Sequence, residues 1–169
     1  IMEVQLAKFV KSLSEFVKSY SAWVKAYFVK PPVAVITPPV EKKIDREGNL
    51  IIFCNAIKDL EGYTPISRSY RNNNPGNITY GPFAVKELGA IGSDGRFAKW
   101  NTYEDGFNAL KKFVLMASKN ELGKYKDCSI KRFIEVYSPV SDGNPSERYA
   151  NYIAFQLKVP AETLLKDII

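Results

Sequence analysis

The chain has 169 residues, 46% hydrophobic and 13% aromatic, which is enough for one packed core with an appendage and too apolar for a disordered polypeptide. It carries a formal charge of +6 and no histidine, which excludes imidazole triads, histidine-containing metal sites and the usual pH switch. Acid–base chemistry must then rest on carboxylates, Lys, Tyr or Cys.

Residues 9–29 read as three heptads, FVKSLSE, FVKSYSA and WVKAYFV. Leu6, Val10, Leu13, Val17, Tyr20, Val24 and Tyr27 alternate spacings of four and three, which predicts one amphipathic helix within residues 1–29. Phe9, Phe16 and Trp23 widen its apolar seam, so residues 6–27 need a cover: copies of the same chain, another protein, or a membrane surface. Lys8, Lys11, Lys18 and Lys25 interrupt every turn, which argues against a signal peptide and a membrane span. Residues 1–43 hold seven lysines against Glu3, Glu15 and Glu41, or +4 of the +6. Residues 30–44 contain KPPVAVITPPVEKK, whose two Pro-Pro pairs predict a stiff extended linker.

The main domain is expected over residues 45–169. A helix over 50–61 follows from the spacing of Leu50, Phe53, Cys54, Ile57 and Leu60, with Asn49 as its cap and Gly62 as its stop. Residues 63–82 are rich in Asn, Pro, Gly and Ser and read as a structured loop. Asp94-Gly95 predicts a hairpin turn before the strand Arg96–Trp100. Thr102 and Asp105 form a capping-box pattern for a helix presenting Tyr103, Phe107, Leu110, Val114 and Ala117 on one face. Further helices are expected at 129–137, at 146–157, and at 160–168 with Pro160 in the first turn. The fold class is therefore α+β, mainly helical, with one small hairpin. Cys54 and Cys128 stand apart in apolar runs and read as two buried thiols; no metal and no cofactor are expected.

Glu61 shares the apolar face of its helix through Ile57 and sits at the helix C-terminus, just before Gly62. Burial and the negative end of the helix dipole both disfavour its anion, as a general acid requires, although a terminal glutamate can also simply end a helix in water.

The surrounding segment, AIKDLEGYTPISRSYRNNNPGNITY, resembles that of phage and prophage virion-associated lysins described as lytic transglycosylase-like, in which EG is followed by a serine and RNNNPGN. GAIGSDGRFAKWNTYEDGFNAL and VYSPVSDGNPSERYANYI extend the resemblance over about residues 50–160. The heptads have no counterpart in that pattern. The resemblance implies a lysozyme-like fold, Glu61 as catalytic acid, and a cleft for the alternating N-acetylglucosamine and N-acetylmuramic acid of bacterial peptidoglycan. It implies a place in a virion or a bacterial cell envelope.

Within the loop the amides of Asn72, Asn74 and Asn77 suit acetamido and hydroxyl groups, and Pro75-Gly76 would set a turn. Asn74, Asn77 and Ser67 are the expected substrate-side positions, though Asn-rich loops also build turns. Arg71 either joins them or pairs with a carboxylate. Tyr80, Tyr103 and Tyr149 either stack on sugars or belong to the core.

Hydrolysis of a glycosidic bond usually needs two carboxyls. Asp94 and Glu104 are candidates for the second, with surface solvation as their alternative role. A lytic transglycosylase avoids this need, because the 6-hydroxyl of the muramic residue itself attacks, and the reading leans that way. The net charge suits an anionic partner, such as the wall with its teichoic acids. The lack of a Gly-rich phosphate loop, an RNA-binding pattern or zinc-finger spacing argues against nucleic acid. The competing reading is a non-catalytic virion structural or wall-binding protein of the same shape.

Overall fold

The chain divides into two units, Ile1–Lys42 and Lys43–Ile169. The computed structural model describes residues 44–169 together with Glu15 and Lys18. The expected heptad helix and nearly all of the proline-rich segment lie outside the described residues.

Helix α1, Arg46–Leu60, begins one turn before the apolar spacing suggests. Its cap is Asp45, whose carboxylate accepts the Gly48 N–H at 2.9 Å, and not Asn49. Asn49 instead donates from Nδ2 to the Ile168 carbonyl at 2.9 Å, while Arg46 Nη1 reaches the carbonyls of Lys166 and Ile169. The cap is thus local, and the first turn of the helix is also tied to the C-terminal residues. The other end follows local rules. Gly62 adopts φ +63°, its N–H donates to the Asp59 carbonyl, and the Tyr63 N–H donates to that of Lys58, both at 3.2 Å. This Schellman arrangement stops the helix at Leu60, with Glu61 as its C-cap.

Beyond it come α2 (Arg68–Arg71), α3 (Pro82–Lys86) and a hairpin of β1 (Gly92–Ser93) and β2 (Ala98–Lys99), paired Gly92 with Lys99 and Ser93 with Ala98. The strand is shorter than Arg96–Trp100. Asp94 accepts the N–H groups of Phe97 at 2.9 Å and Arg96 at 3.3 Å, which opens a four-residue turn around Gly95 at φ +105°.

Helix α4 (Tyr103–Ser118) carries the expected capping box: Thr102 accepts the Asp105 N–H and Asp105 accepts that of Thr102. Leu110, Val114 and Ala117 are buried along it, with Ala109 and Phe113 beside them, while Tyr103 and Phe107 stack half-buried at 5.7 Å. Helix α5 (Ile130–Tyr137) is capped by Ser129, and α6 runs Ser146–Leu157. The expected helix at 160–168 is reduced to α7, Leu165–Ile168. Before it, a turn closed by the Thr163 N–H on the Pro160 carbonyl and an extended Leu164 serve α5: the carbonyls of Thr163 and Ala161 accept the Ile130 and Lys131 N–H groups, and Leu164 bridges Ser129.

Helix α1 packs against α4 and α6, and α6 against α5. Phe53 of α1 meets Phe133 of α5 edge-on at 5.3 Å, both fully buried, and each such side chain contributes about 1.5–3 kcal/mol. Cys54 and Cys128 are buried free thiols, which burial pushes up to about 12 and about 11. The mainly helical α+β class with one small hairpin is what the sequence predicts. Among the described residues no helix is long and apolar enough to cross a membrane.

Candidate active site

The heptapeptide Arg71–Asn77 is a bracket built from its own amides. Asn72 Nδ2 donates to Asp94 Oδ2 at 2.8 Å, and the Asn72 carbonyl accepts the Trp100 N–H at 3.1 Å. Asn73, at φ +50°, donates to the carbonyls of Trp100 and Asn101. Asn74 is 0% exposed: Nδ2 donates to the carbonyls of Ile78 and Ala98, both at 2.9 Å, and Oδ1 accepts the Ile78 N–H at 2.8 Å. Both N–H donors and the oxygen of its amide are engaged inside the fold, so Asn74 through Ala98 and Asn72 through Asp94, both expected on the substrate side, tie the loop to the hairpin.

The expected Pro75-Gly76 turn forms, closed by the Asn77 N–H on the Asn74 carbonyl at 3.0 Å. Gly76 is needed for close approach: a Cβ there would lie 2.7 Å from the Tyr137 hydroxyl and 2.8 Å from Leu110, and Tyr137 donates its hydroxyl to the Gly76 carbonyl. Gly106 of α4 faces the same bracket. A Cβ on it would stand 1.7 Å from the Asn73 carbonyl oxygen, so loop backbone rests directly on helix backbone.

This scaffold delivers Asn77 to Glu61. Asn77 Nδ2 donates to Glu61 Oε2 at 3.1 Å. Glu61 is half-buried, and burial raises its carboxyl above the ordinary carboxylate range while the Asn77 hydrogen bond offsets part of that rise. Both residues line a cleft of about 610 Å³. Residues 76–84 with Arg96 and Phe97 form one part of its wall, and Phe113, Tyr125 and residues 136–139 with Asp142 and Asn144 form the rest. Tyr80, 45% exposed, lies in this cleft with Phe83 and Phe97. Arg96 and Asp142 meet across it at 3.4 Å, an exposed pair.

The other expected residues lie elsewhere. Ser67 caps α2, accepting the Tyr70 N–H and donating to the Thr64 carbonyl. Arg71 donates to the Ile66 carbonyl at 2.7 Å and pairs with no carboxylate among the described residues. Tyr103 lines a separate depression of about 510 Å³ with Tyr63 and Tyr70. Tyr149 is half-buried against the core, in a small crevice that also touches Glu61. Asp94 is held in the hairpin turn, where the Phe97 N–H and the Asn72 amide bring its carboxyl down to about 2. Glu104 is exposed at the start of α4. Neither lines the cleft; Asp142 does, and sequence reasoning misses it along with Tyr137, Phe83 and Arg96. The first two lie in VYSPVSDGNP, where the only signal is the family resemblance.

Among the described residues no cluster of three or more Cys, Asp or Glu side chains is placed to hold a metal ion. No protein-family model, no curated protein and no solved structure matches this chain.

Proposed function

We propose that the protein degrades peptidoglycan as a lytic transglycosylase, cleaving the bond between N-acetylmuramic acid and N-acetylglucosamine with Glu61 as the single acid and base. One observation carries the reading: a half-buried carboxyl, raised by burial, stands in a cleft with an amide on one of its oxygens and aromatic rings along the walls. Aromatic faces suit sugar rings, and a raised carboxyl keeps its proton toward neutral pH.

Glu61 gives its proton to the glycosidic oxygen as the bond to the anomeric carbon breaks. The 6-hydroxyl of the same muramic residue closes onto that carbon and returns its proton to the Glu61 carboxylate, leaving a 1,6-anhydro end. No second carboxyl is consumed. Asp142, the other carboxylate that lines the cleft, is paired with Arg96, and Asp94 is engaged in its turn, which favours this route over two-carboxyl hydrolysis.

Tyr80 remains the proposed substrate-side residue, and Asn77 lines the cleft with its amide on Glu61. The resemblance to virion-associated lysins suggests a phage or prophage origin, and the apolar seam of residues 6–27 would attach such an enzyme to a particle, to its own copies or to a membrane surface. A non-catalytic wall-binding protein is the alternative, and Glu61 separates the two. Purified cell walls should lose turbidity with the wild type and at least about a hundredfold more slowly with Glu61→Gln. Equal rates for the two folded proteins would refute the assignment.

A further inference from the structure

Asn77 holds two costs at once. Its backbone is left-handed at φ +50°, and its side-chain Oδ1 is buried without a hydrogen-bond partner among the described residues. A buried unpaired acceptor and a strained backbone both oppose folding. Asn72, Asn73 and Asn74 each spend their amides on the fold, whereas the one side-chain hydrogen bond of Asn77 goes to Glu61. The loop therefore holds this amide against a cost, and what it secures is contact with a carboxyl.

We infer that Asn77 is a positioning residue for Glu61: its N–H occupies Oε2, so the acid proton resides on Oε1, the oxygen left to meet the glycosidic bond. This rests on the proposed reaction. The same hydrogen bond is weak to a neutral acid and strong to a carboxylate, so it tightens as Glu61 releases its proton and supports the charge that develops. Titratable and charged groups around Glu61 are Tyr137 from α5, Tyr149 from α6, and Tyr80, Tyr125, Arg96 and Asp142 on the cleft walls. Among the described residues only Asn77 hydrogen-bonds the Glu61 carboxyl.

Two variants test this in the full chain. Asn77→Asp tolerates the left-handed backbone, removes the donor and sets a like charge beside Glu61; Asn77→Gly fits φ and removes the side chain. Carbon-13 NMR titration of the Glu61 carboxyl should show its midpoint moving up by about one pH unit or more in Asn77→Asp, and the alkaline limb of wall cleavage should move with it. In Asn77→Gly, kcat on soluble glycan chains should fall about tenfold or more while KM changes by less than about threefold. An unmoved Glu61 titration in folded Asn77→Asp would overturn the inference, as would unchanged kcat in Asn77→Gly. If the wild type cleaves no peptidoglycan, the proposed reaction falls, and the titration still decides whether Asn77 governs Glu61.

Discussion

Burial of Glu61 sets stability against chemistry. A carboxyl raised by burial binds its proton more tightly in the folded than in the unfolded chain. Its favourable contribution to stability is present below the unfolded value and is lost as pH rises through the folded one. Glu61→Gln should therefore raise Tm at neutral pH, and the difference from wild type should shrink as pH falls below the ordinary carboxyl range. Calorimetry at a series of pH values checks this; a Gln variant less stable than wild type at pH 7 would show that the carboxylate is held by more than Asn77. Asn74 lies at the other extreme, with both N–H donors and the oxygen of its amide engaged inside the fold. Asn74→Ala takes the Asn74 amide from the Ile78 N–H and the Ala98 carbonyl, while the Ile78 carbonyl keeps the Ala98 N–H, and should cost on the order of 3 kcal/mol in urea unfolding. Folded molecules of that variant should keep their specific activity, because the side chain does not reach the cleft.

At the scale of the element, α4 and the Asn loop are fitted to each other through Gly106. A glycine inside a helix gives up about 1 kcal/mol relative to alanine, so Gly106→Ala would be stabilising on helix propensity alone. The added Cβ would fall 1.7 Å from the Asn73 carbonyl oxygen, and the resulting displacement should outweigh that gain, for a net loss of about 1–3 kcal/mol. Since the displaced bracket carries Asn77, wall cleavage should also decline; a Gly106→Ala protein more stable than wild type would mean that loop and helix are not in contact. What the sequence makes legible divides along the same line. The Gly62 stop and the Thr102–Asp105 capping box depend on neighbours in the chain, and each is readable as a local pattern. The loss of most of the helix at 160–168 and the inward turn of Asn74 depend on Ile130 and Ala98, distant partners that no local spacing records. Glu61 was legible because it combines a helix end, an apolar face and a following glycine. Tyr137 and Asp142 reach the cleft only through the packing of α5 and the turn that follows it.

For the whole molecule, charge and core belong to different parts of the chain. Residues 1–43 supply +4 of the +6, whereas the described core lies entirely within Lys43–Ile169. A chain beginning at Ile44 should fold with Tm within about 3 °C of the full protein and should retain cleavage of soluble glycan chains. Its binding to anionic cell walls should weaken and lose much of its salt dependence, measured by co-sedimentation over a range of sodium chloride concentrations. Unfolding of the truncated chain would show that residues 1–43 belong to the core. The central claim, one carboxyl acting as acid and then base, is tested most directly by mass spectrometry of the fragments released from purified peptidoglycan. The account predicts 1,6-anhydromuramic ends from the wild type and none from Glu61→Gln; reducing ends alone, or the same products from both proteins, would contradict it.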